Sequence, residues 1–250
     1  PVSAGGDSIG ATIQVESLPP EFAAPGQGTL LKGEMGGFYR SNGAASGGHV
    51  NATWANEQMS LRYDGSSAQS DNYRAGGNFH LAGPAASNKL QQWIAGDEVG
   101  SSSYKARNHA LTYALRSEAH LLELRLGQQD IPYQNFANQR MDMTRNDSNQ
   151  FNLRYLGQYD WGQLQARVYH EKTRHGMNFG QDKQFWYGAS NNVPGMPMDT
   201  EGKTTGAQLK ADINLSARDT LRVGAELLRY RLDDWWLPSG GGMAPNTFWN

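Results

Sequence analysis

Apolar residues recur at every second position over long stretches of this chain, and that period restricts its backbone more than any composition does. In QFNLRYLGQY, residues 150–159, Phe151, Leu153, Tyr155 and Tyr159 share one parity, and Asn152, Arg154 and Gln158 take the other. QLQARVYH, from Gln163, sets Leu164, Ala166 and Val168 against Gln163, Gln165, Arg167 and Tyr169. TGAQLKADINL, from Thr205, sets Ala207, Leu209, Ala211, Ile213 and Leu215 against Gln208, Lys210, Asp212 and Asn214. A period of two sustained this long makes a strand with one apolar face. Comparable stretches at 28–40, 48–55, 57–65, 104–116, 119–129 and 219–231 bring the expectation to about nine strands.

The connections between them alternate in length. Tight turns are expected at Ala55–Glu57, Arg116–Glu118, Asp160–Gly162 and Ser216–Asp219. Long loops are expected over 66–103, 130–148 and 175–202, and from near Asp233, with one short connection at 41–47. Short turns on one side and long loops on the other are the pattern of an outer-membrane barrel. Strands of about 9 to 14 residues suit a tilted crossing of the hydrocarbon layer. Tyr39, Trp54, Tyr63, Tyr113, Tyr155, Tyr159 and Trp161 are placed to form an interfacial girdle. A β-sandwich also alternates, but rarely joins such strands by long loops on one side alone.

Composition excludes more than it proves. The mean hydropathy is -0.69 and no apolar run nears the roughly 20 residues of a membrane helix. Alternation, however, hides a membrane face from any such average. The net charge of -2, without a basic cluster, argues against nucleic acid. With no cysteine, the stretch holds no disulfide, thiolate zinc site or cysteine nucleophile. It has no nucleophile elbow, HExxH or phosphate loop either, so it is not expected to be an enzyme. An odd, open set of strands would leave backbone groups unpaired in lipid. The chain, which opens at Pro1 without a signal peptide, therefore reads as a fragment of a larger transmembrane antiparallel β-barrel.

RHGMNFG, residues 174–180, places His175 and Met177 two apart. Chance supplies roughly 0.2 such pairs in a chain of this composition, so the pair gains weight only from its place in the fold. In an extended segment both side chains point the same way, and Gly176 leaves room between them. Thioether sulfur favours Cu(I) over harder ions, while imidazole accepts either copper state. The competing reading is a solvated histidine beside a packed methionine. Met141, Met143, Met196 and Met198 are weaker donors, for which loop packing is the leading account. Asp142, Asp147, Asp199 and Glu201 read as loop charge able to attract cations. His109 and His120 fall too far apart to share an ion.

Residues 1–27 differ in kind: a glycine-rich turn and short strand in GGDSIGATIQVES, then the Pro-rich connector LPPEFAAPGQG. GGDSIGATIQVES resembles the end of the plug domain of TonB-dependent outer-membrane receptors. PVSAGGDSIG, RMDMTRNDSNQFNLRYLG and MPMDTEGKTTGAQLKADI resemble the copper-receptor branch of that family. The resemblance implies residues 1–27 as the end of a plug and 28–250 as the N-terminal part of a 22-stranded, plugged barrel. It implies an outer-membrane receptor that binds copper ion at its extracellular mouth and imports it to the periplasm, energised by the TonB complex. In that branch a plug Cys-x-x-x-Met is completed by a barrel His-x-Met, which His175 and Met177 match; the plug half is not in this chain. A receptor of the same fold for another ligand, such as a siderophore, and a non-transporting adhesion barrel remain the alternatives.

Overall fold

Backbone pairing follows the alternation strand by strand. The computed structural model describes residues 18–84, 93–179, 182–183, 186–187, 193–194, 197–236 and 247–249. Nine long strands run in chain order: β1 (Leu30–Arg40), β2 (Ala45–Ala55), β3 (Met59–Ser70), β4 (Tyr104–Arg116), β5 (His120–Gln134), β6 (Asp142–Tyr159), β7 (Gly162–Asn178), β8 (Met198–Asn214) and β9 (Thr220–Trp236). A three-residue β10 (Thr247–Trp249) pairs with the end of β9. Each strand pairs antiparallel with its neighbours in sequence, giving one meandering sheet. Two-residue ribbons join Gly83–Pro84 to Trp93–Ile94 and Trp186–Tyr187 to Val193–Pro194.

The register lines up one apolar band across all nine long strands. Leu31, Trp54, Leu61, Tyr113 and Leu124 pair in succession, and the row continues through Leu153, Val168, Ala207 and Leu227. Much of this face stays uncovered: Leu31 is 79% exposed and Leu227 77%, and Leu209 on the same face is 51% exposed. A water-soluble sheet would bury this face, whereas a barrel wall turns it to lipid. The opposite face is polar and tied by ion pairs, among them Arg62–Asp64 at 2.8 Å and Arg154–Glu123 at 3.5 Å. At the short-turn edge of the band, Tyr155 Oη lies 2.8 Å from His120 Nδ1 and 2.6 Å from Tyr159 Oη, and Tyr159 stacks on Trp161. Such an amphipathic cluster suits a membrane–water boundary.

All four tight turns fall where the alternation breaks. Gly162 adopts φ 139°, and a Cβ there would strike the Asp212 carbonyl. The far ends differ from the sequence reading. The 130–148 loop shrinks to 135–141, because β5 runs to Gln134 and β6 starts at Asp142. The other long connections narrow to 71–103 and 179–197. Above the band both faces of a strand are wet, so the strands continue without their apolar alternation. The connector packs under the short-turn end: Ala23 N–H donates to the Asn56 carbonyl, and the Arg116 guanidinium lies 4.3 Å above the Phe22 ring. The plug-like segment falls mostly within 1–17, outside the described residues.

Candidate metal site

His175 and Met177 sit on the last stretch of β7, not in the loop after it. They lie beyond Val168, the last apolar residue of the band on that strand, at the end that carries the longer connections. Having the same parity as Gln165 and Arg167, both point to the polar face. Gly176 between them turns to the other side, where a Cβ would approach Asp199 Oδ1 at 3.1 Å.

The strands on either side bring two further thioethers to this pair. Met177 is directly opposite Met143 of β6 and Met198 of β8. Directly opposed residues of antiparallel strands share a face, with Cβ atoms about 4.5–5.5 Å apart. Parity alone would place Met143 with Phe151 and Leu153 on the apolar side. The register shifts between Met143 and Arg145, and that one-residue bulge at Thr144 returns Met143 to the side of Met177. Met143 is accordingly 7% exposed rather than presented to lipid. The row continues to Trp236, opposite Met198. Met141 precedes β6 and does not join the row, and Met196 lies outside the described residues.

His175 stands one step below this row, with Nδ1 at 3.2 Å from Asn146 Oδ1. This end of β7 lies above the apolar band. Burial lowers the imidazole pKa below its ordinary value, with Asp199 opposing, so the ring stays neutral and able to ligate near neutral pH. His109 and His120 are separated as expected: His109 is opposite Gln128, eight positions along β5 from His120, and it bonds Tyr63 Oη at 2.7 Å.

The four carboxylates are engaged elsewhere. Asp142, 1% exposed, accepts from Lys183 Nζ at 2.5 Å and is no solvated loop charge. Asp199 pairs with Arg145 at 3.2 Å, and Asp147 faces the same guanidinium at 3.8 Å. Glu201 is held at about pKa 2 by Lys203 and Arg174, with Lys172 adding to the effect. Among the described residues no three His, Asp or Glu side chains converge as a metal site would need. What the register sets side by side is one imidazole and three thioethers, all uncharged. Such donors favour a soft ion of low charge over zinc, iron or calcium.

No protein-family model matches the sequence, and no curated protein matches it. Among solved structures, the copper transporter OprC superposes with a TM-score of 0.67 at 22% identity, over 87% of this chain and 30% of that one. The ferric enterobactin receptor PfeA, in complex with BCV-L6, matches 84% of this chain and 37% of its own, at 12% identity and a TM-score of 0.39. The likeness to OprC shows the fold: this chain is built as a run of antiparallel barrel-wall strands, and it spans less than a third of that transporter's length.

Proposed function

We propose that the chain belongs to a TonB-dependent outer-membrane receptor that binds copper ion at its extracellular mouth and passes it to the periplasm. Residues 1–27 would end the plug, and 28–250 would form the N-terminal part of the barrel. The observation that carries the copper reading is the register that sets Met198 and Met143 on either side of Met177 on the polar face, one step from His175, with the bulge at Thr144 returning Met143 to that face. Three thioethers and an imidazole give Cu(I) a neutral, soft coordination sphere. Neutral thioethers hold a metal less permanently than thiolates do, which suits an ion that must be released onward. OprC, named as a copper transporter, has the same barrel fold and supports this choice of cargo. The TonB complex, acting through the plug, would supply the energy for release.

The test is copper loading of the full-length receptor. His175→Ala with Met177→Ala should abolish tight Cu(I) retention while the barrel still migrates as a folded, heat-modifiable species. Met143→Leu or Met198→Leu, which keep the volume but delete a sulfur, should weaken Cu(I) and leave any ferric-siderophore binding unaffected. Copper retention unchanged in the double variant would refute the site.

A further inference from the structure

Below the methionine row, a chain of side-chain amides crosses the polar face. Asn146 Nδ2 donates to Gln129 Oε1 at 3.1 Å, and Gln129 Nε2 donates to Asn108 Oδ1 at 2.9 Å. Asn108 Nδ2 reaches Ser66 Oγ at 3.4 Å. Four strands, β3 to β6, therefore contribute one link each, and the fifth link is His175 of β7, whose Nδ1 meets Asn146 Oδ1 at 3.2 Å. Every amide donates away from β7, and each carbonyl oxygen is left facing toward it. A carbonyl oxygen only accepts, so the atom it meets on His175 must carry the proton.

We propose that Asn146 is a positioning residue that fixes His175 as its Nδ1–H tautomer and turns Nε2 to the metal. The inference rests on the reading of His175 as a copper ligand. The amide chain gives this single contact its direction. Asn146 alone could rotate and offer its NH2 group, which would force the opposite tautomer. Gln129 Oε1 occupies that NH2 group and so holds Oδ1 toward the ring. Links of one polarity along such a chain reinforce one another. An outer partner of this kind aligns the ring before the ion arrives, and its removal commonly costs a metal site about 10–100-fold in affinity.

The experiment uses full-length receptor labelled with 15N-histidine, with His175→Ala to assign the resonance. In metal-free protein, two-bond nitrogen–proton couplings should show His175 protonated on Nδ1 in the wild type and in Asn146→Asp, which keeps an acceptor. Asn146→Leu, of similar volume but without an acceptor, should show a mixture of tautomers. Its Cu(I) affinity, read by competition with a chromophoric chelator on heat-modifiable protein, should fall about 10–100-fold. Asn146→Asp should stay within a few fold of wild type. Wild-type His175 protonated on Nε2, equal affinity in Asn146→Leu, or an equal loss in Asn146→Asp would each overturn the proposal. If His175→Ala leaves copper binding intact, the copper site itself fails, while the tautomer measurement still decides what Asn146 does.

Discussion

Replacing Asp142 by Ala should loosen the outer end of the sheet around the candidate site. The carboxylate accepts from Lys183 Nζ and the Phe136 N–H through Oδ1, at 2.5 and 2.8 Å, and from Ser101 Oγ through Oδ2 at 2.9 Å. These donors come from three different connections: 71–103, 135–141 and 179–197. With Asp142 gone, Lys183, 14% exposed, keeps one acceptor among the described residues, the Phe136 carbonyl at 2.7 Å. Breaking one side of a buried ion pair costs about 3–5 kcal/mol, and the stranded Ser101 and Phe136 donors are part of that cost. Because each 1.4 kcal/mol is a tenfold change, amides of 101–103 and 135–137 should lose protection from hydrogen exchange by about 100-fold or more. Protection in the β5–β6 pairs of the apolar band should not change. Adding Lys183→Met removes the stranded charge and should recover much of the loss, a coupling that a double-mutant cycle measures. Unchanged exchange in Asp142→Ala, or no recovery in the double variant, would refute this account of the loop anchor.

Three further outcomes follow from the geometry. Leu209→Arg, in the middle of the apolar band, should cost about 2–4 kcal/mol in barrel refolding into bilayers, and Lys210→Ala, on the polar face, should cost far less; equal costs would contradict the assigned faces. Single cysteines replacing Ala82 and Asn138 should react with an impermeant thiol reagent on intact cells, and one replacing Ala217 should not; the reverse pattern would invert the topology. The two loop-side histidines should respond oppositely to pH. His80 donates toward the Leu81 and Glu98 carbonyls, which raise its pKa above 6.5, so its hold on the 71–103 connection is full in acid and should be lost as pH rises through that raised value. His175, lowered by burial, stays neutral as pH falls through 6.5, so copper retention should persist into more acid solution than free imidazole allows. Loop protection factors independent of pH, or copper loss centred above 6.5, would contradict these assignments.

The apolar band and the tight turns were legible in the sequence because lipid on one face enforces strict alternation. Leu209, Ala211 and Ile213 had to fall on one side of β8, and they do. The outer ends were not legible, because in MDMTRNDSNQ water bathes both faces and no apolar period marks the strand. Met143 was legible there only as a weaker donor in a loop, because the bulge at Thr144 that sets it beside Met177 is a displacement that no hydrophobic pattern encodes. His175 and Met177 were singled out as a candidate pair through their spacing and the receptor resemblance. The amide chain behind His175 joins residues 66, 108, 129 and 146, and only strand register brings these together.

X-ray absorption at the copper edge, on full-length receptor carrying one equivalent of Cu(I), tests the central claim most directly. The spectrum should contain both sulfur and imidazole scattering. The sulfur contribution should fall in Met177→Leu and again when Met143→Leu is added, while the imidazole pattern should vanish in His175→Ala. A first shell of oxygen and nitrogen alone, or a sulfur shell indifferent to Met177 and Met143, would contradict a copper site on this wall of the barrel.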